Sequence, residues 1–130
     1  MHKLLIPFVF LLAGCGDKAI TTQSIMEQFQ QTGVTVTDIQ TPDRSVKTPV
    51  PNSYKEHVTF VLSEVSPKGG QVFICEKKEY CDAIYAYFDA LKAFAGPYLY
   101  QSKNGLIVAQ LNSGLTPQTA EKLAAVVMKY

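Results

Sequence analysis

The chain lacks any apolar run long enough to cross a bilayer. The uncharged stretch Leu4 to Leu12 (LLIPFVFLL) holds nine residues. As a helix this would span about 14 Å, whereas a ~30 Å hydrocarbon core takes about 20 apolar residues. An excess of one charge is also missing. The 12 basic residues face 11 acidic ones, too even a balance for the positive field that nucleic-acid binding requires. No nucleic-acid partner is expected. There is no internal repeat and no low-complexity tract. Past residue 14 a single histidine remains, His57, and no nucleophile-elbow motif occurs. The cysteines, Cys15, Cys75 and Cys81, do not form the C-x-x-C of thioredoxin-type redox pairs. Structural zinc takes about four ligands, and His57 is the one plausible third beside Cys75 and Cys81. The sequence therefore assigns no catalytic residue, no metal and no cofactor.

What is present begins at the N-terminus. Met1-His2-Lys3 supplies one firm positive charge, and Leu4–Leu12 follows, with Pro7 weakening any stable helix. This is the layout of a cleavable export signal. The run closes on Leu12-Ala13-Gly14-Cys15, which resembles the lipobox of bacterial lipoproteins, a class defined by its signal and not by its fold. The resemblance implies diacylglyceryl transfer to the Cys15 sulfur, cleavage between Gly14 and Cys15, and N-acylation of the new terminus, with acyl chains such as palmitate. Membrane lipid is then a partner through Cys15. Gly16 occupies the place where aspartate retains lipoproteins at the inner membrane, and Asp17 comes one residue later. The resemblance thus leans towards the outer membrane, facing the periplasm, in a host with two membranes. In a single-membrane host it implies the outer face of the plasma membrane. One acyl chain anchors only marginally, whereas two or three hold stably.

The expected organisation is a signal peptide over 1–14, a lipidated tether over 15–23 and one α+β domain over 24–130. Taking 14 residues from 130 leaves 116, and losing Lys3 leaves 11 basic against 11 acidic residues. A domain of this size buries enough surface to fold without metals. Ser24 and Glu27 fit a capping box, and Ile25, Met26 and Phe29 form an apolar stripe that ends before Gly33. Val34 to Ile39 alternates as a strand does. Residues 41–55 carry Pro42, Pro49 and Pro51 and read as a loop, unusually long for a compact domain. His57 to Val65 and Gln71 to Cys75 read as a hairpin about the turn Ser66–Gly70. A helix is expected from about Lys78 to Ala95, with Cys81, Ile84, Tyr87, Phe88, Leu91 and Phe94 on one face. Asn104-Gly105 marks a hairpin between Tyr98–Ser102 and Leu106–Asn112. Thr116-Pro117 opens a last helix with Ala120, Leu123, Ala124 and Val127 on one side. The order α-β-β-β-α-β-β-α predicts a two-layer sandwich, with helices packed on a largely antiparallel sheet of about five strands.

Cys75 and Cys81 flank a strand-to-helix turn, and in an oxidising compartment an even pair favours a disulfide. Buried free thiols, or a redox or metal role, are the alternatives. His57 reads as a surface residue on the polar side of its strand. Glu76, Glu79 and Asp82 are explained by a helix N-terminus. Five of the seven tyrosines lie between residues 80 and 100. Tyr98 and Tyr100 share a strand face; packing in the core and at the sheet rim is the first reading, and an interaction surface the alternative. Two functions follow as expectations: a membrane-anchored accessory or protein-interaction module of the cell envelope, or an envelope enzyme or thiol–disulfide protein using Cys75 and Cys81.

Overall fold

The structure, a computed structural model, describes residues 19–130. The expected signal peptide, Gly14 and Cys15 lie outside the described residues. The first helix, α1 (Thr22–Gln31), starts a little before its expected cap. Thr21 is extended and its hydroxyl accepts from the Ser24 amide at 3.1 Å. The Glu56 carboxylate accepts from the Thr22 amide at 2.8 Å and caps the same turn from across the chain. Two acceptors supplied from outside move the helix start forward, so Ser24 and Glu27 lie inside the helix rather than forming its capping box. Ile25, Met26 and Phe29 are buried as expected.

Five strands follow: β1 (Val36–Gln40), β2 (Glu56–Leu62), β3 (Gly69–Ile74), β4 (Leu99–Gln101) and β5 (Ile107–Leu111). All neighbours are antiparallel, in the order β1-β2-β3-β5-β4. β2 stops at Leu62, short of the expected Val65, because Ser63–Val65 turn into a 3-10 helix. β3 in turn begins at Gly69, inside the expected turn. No side chain fits there, since a Cβ on Gly69 would lie 1.9 Å from the Phe60 carbonyl oxygen. β1 keeps only Val36 buried. Its register shifts between Thr37 and Gln40, where Asp38 takes φ +51°, so this edge is bulged and a poor template for further pairing.

Alternation along the strands sends side chains to two faces, and both are covered. Val58, Phe60, Leu62, Val72, Ile74, Ile107, Ala109 and Leu111 meet α1 and the last helix, α4 (Pro117–Val127), on one side. Thr116 caps α4 and Pro117 sits in its first turn, as the sequence predicts, though Val126 is buried where Ala124 was expected. On the other side Phe73, Cys75 and Val108 meet Cys81, Ile84 and Phe88 of α2 (Lys78–Ala90). The fold is α+β with the expected element order, and helices lie on each side of the sheet, so the expected two layers become three.

The long helix expected to reach Ala95 breaks at Leu91, and a separate turn, α3 (Lys92–Ala95), follows. Phe94, placed by its spacing on the buried stripe, is instead 88% exposed. The second core ends at Phe88, so the stripe beyond it has no sheet surface to bury against. Gly96, at φ +90°, then turns the chain into β4.

Candidate functional site

The Pro-rich segment is the element that builds a site. Asp43 accepts from the Ser45 amide (2.9 Å) and hydroxyl (2.8 Å), closing a local turn. The Thr48 hydroxyl accepts from the Val50 amide. Arg44 donates to the Tyr54 carbonyl oxygen, tying together residues ten apart, and lies 4.1 Å over the Tyr54 ring. Val50 and Tyr54 pack against the second core. Residues 41–55 are therefore a strap held down on the sheet. Beneath the strap lies a cleft of about 400 Å³, floored by His57, Gln71 and Phe73.

His57, expected as a surface residue, is half-buried on this floor. Its ring stacks on Phe73 with centroids 4.0 Å apart and meets Tyr54 edge-on at 5.2 Å. The adjoining hydrogen bonds fix its tautomer. The Gln110 amide nitrogen donates to the carbonyl oxygens of Ala95 and Leu111, both at 3.2 Å. Carbonyls only accept, so Gln110 must turn its oxygen to Gln71, whose nitrogen donates to it at 3.0 Å. The Gln71 oxygen then accepts from His57 Nε2 at 2.9 Å. Nε2 carries the proton, and Nδ1 is left as a buried acceptor with no protein partner. This relay crosses three strands and is set by register, with His57 beside Phe73 and Gln71 beside both Thr59 and Gln110.

Burial pushes the His57 imidazole below its ordinary value, and the nearby Arg44 adds to this, against the Gln71 bond that favours the charged form. A depressed histidine binds fewer protons folded than unfolded. Its contribution to stability is present above the ordinary value of about 6.5 and is lost as pH falls through the folded value. Asp43, Glu64 and Asp82 are also held low, by hydrogen bonds from Ser45, Thr119 and Lys78 respectively. Their losses fall in the carboxylate range, well below that window. Urea unfolding followed from pH 7 to pH 5 should therefore show falling stability in the wild type and a flatter profile in His57→Phe. Parallel profiles would contradict the buried neutral imidazole.

The structure joins Cys75 and Cys81 in a disulfide with Cα atoms 5.8 Å apart. Both are sealed, at 2% and 0% exposure, beneath the same helix face as Phe73 and Ile84. Both cysteines are buried, and the bridge ties the end of β3 to α2. Tyr98 and Tyr100 are half-buried and pack against the first core. The Tyr98 hydroxyl donates to the Leu115 carbonyl oxygen at 3.2 Å, and burial raises the Tyr100 phenol. Glu76, Glu79 and Asp82 lie at the start of α2, where Asp82 accepts from Lys78 and Gln101. Among the described residues no group of three His, Cys, Asp or Glu could hold a metal ion.

Compared with protein-family models, curated proteins and solved structures, the chain matches none. The reading of the site therefore rests on its own geometry. Sequence reasoning missed Arg44, Tyr54 and Gln71 as partners of His57. The one signal available was Gln71, which shares its side of β3 with Phe73.

Proposed function

We propose that this chain is a lipid-anchored binding module of the bacterial cell envelope, tethered through acylated Cys15 and acting as an accessory or partner-binding protein. The observation that carries the reading is Leu12-Ala13-Gly14-Cys15 closing a short uncharged run. Support also comes from the described residues, where no helix is long and apolar enough to cross a membrane, so any membrane attachment through this part needs another device. Ala19 and Ile20 lie beside Lys55, Ile74, Cys75 and Leu106, at one end of the sheet. The sealed disulfide argues against the thiol–disulfide alternative.

The test is metabolic labelling of the full chain in a bacterial host with an alkyne-bearing fatty acid. The processed chain should take up the label in a hydroxylamine-resistant part, on nitrogen, and a hydroxylamine-sensitive part, as esters. A processed chain without label would overturn the reading.

A further inference from the structure

We propose that the cleft beneath the strap binds a small organic carboxylate with a flat, unsaturated body, its anionic end held by Arg44 and Lys47 and its ring laid against Tyr54 and His57. The charges around the cleft are unbalanced in a specific way. Arg44 and Lys47, which line it, form no ion pair among the described residues. The acid in its lining, Asp43, accepts from the Ser45 amide and hydroxyl. Two cationic side chains thus line a cleft whose lining acid is engaged by Ser45.

Arg44 is also preorganised. Its bond to the Tyr54 carbonyl and its seat over the Tyr54 ring fix the guanidinium at the cleft wall, leaving further N–H donors of its fork for a carboxylate. The floor carries the flat His57 ring, uncharged, beside the Gln71 amide. The amide relay supplies neutral His57 with its proton on Nε2, so the ring stacked on Phe73 adds no charge that would hold water. A volume of about 400 Å³ lies at the small end of ligand sites and suits a compact ligand. The proposal gives the binding module a ligand class and rests on reading the domain as a binder, but it does not depend on acylation.

The experiment is isothermal titration calorimetry at neutral pH on the full chain purified in detergent, with benzoate as probe. Acetate, benzyl alcohol and inorganic phosphate serve as comparisons. Benzoate should bind saturably at one site. Acetate lacks the ring and benzyl alcohol lacks the charge, so each should bind at least about tenfold more weakly. Arg44→Gln should weaken benzoate by about tenfold or more. Because Arg44 also ties the strap, Lys47→Gln, which removes no described hydrogen bond, provides a second variant and should weaken benzoate several-fold. The proposal is overturned by absent saturable binding, by benzoate affinity unchanged in Lys47→Gln, or by phosphate or benzyl alcohol binding as tightly as benzoate. The mass of the same sample reports acylation separately. Acylated protein that ignores benzoate removes only the ligand, and unacylated protein that binds it removes only the anchor.

Discussion

Cys15→Ser should leave the protein unanchored. The thiol is the acceptor in diacylglyceryl transfer, and a serine hydroxyl is a far weaker nucleophile near neutral pH because almost none of it is ionised. Without that transfer the chain keeps its signal or is lost from the lipoprotein route. Each buried methylene contributes about 0.8 kcal/mol, so two or three long chains supply tens of kcal/mol of anchoring that the variant forfeits. Fractionation should show mature wild type wholly in the detergent-extracted membrane fraction, while Cys15→Ser yields no mature membrane-bound form. Normal processing and membrane retention of the variant would contradict the anchor.

Phe73→Ala should cost about 3–5 kcal/mol, the usual range for deleting a buried aromatic ring. Phe73 is 1% exposed and belongs to the core on the second face. Its ring stacks on His57 at 4.0 Å, meets Tyr54 at 5.4 Å and tilts against Phe88 at 5.9 Å. Removing it opens a void under both the strap and α2. Whole domains are stable by only about 5–15 kcal/mol, so the loss is a large share of the total. Urea unfolding should show a much lower midpoint, and amides of residues 41–55 should exchange faster than in the wild type. A loss below about 1 kcal/mol would mean that the strap side is not a packed core.

The parts of this fold that were legible in the sequence are those decided locally. Asn104-Gly105 makes its hairpin, with Gly105 at φ +80°, because few other residues take that conformation cheaply. Thr116-Pro117 opens α4 because a hydroxyl acceptor and a fixed φ are both useful there. The disulfide followed from a cysteine at a strand end and another on the apolar side of the next helix. What was hidden depends on distance along the chain. The 3–4 spacing that carries Ile84 and Phe88 runs on to Leu91 and Phe94, but periodicity says nothing of how far the sheet beneath extends. The prolines marked 41–55 as a loop, yet Val50 and Tyr54 give no sign that it lies over a sheet face. His57 finds Gln71 and then Gln110 across separations of 14 and 39 residues. Only the strand order, with β5 between β3 and β4, brings them into line. Tyrosine suits interfaces and sheet rims alike, and here Tyr98 and Tyr100 are half-buried against the first core.

The intact mass of protein extracted from the bacterial envelope tests directly whether the mature chain begins at an acylated Cys15. The expected mass is that of residues 15–130, with Cys75 and Cys81 oxidised, plus a diacylglyceryl group and commonly one further acyl chain. Fragmentation should place all the added mass on the first residue. A chain that still begins at Met1, or one cut elsewhere with no added acyl mass, would contradict it.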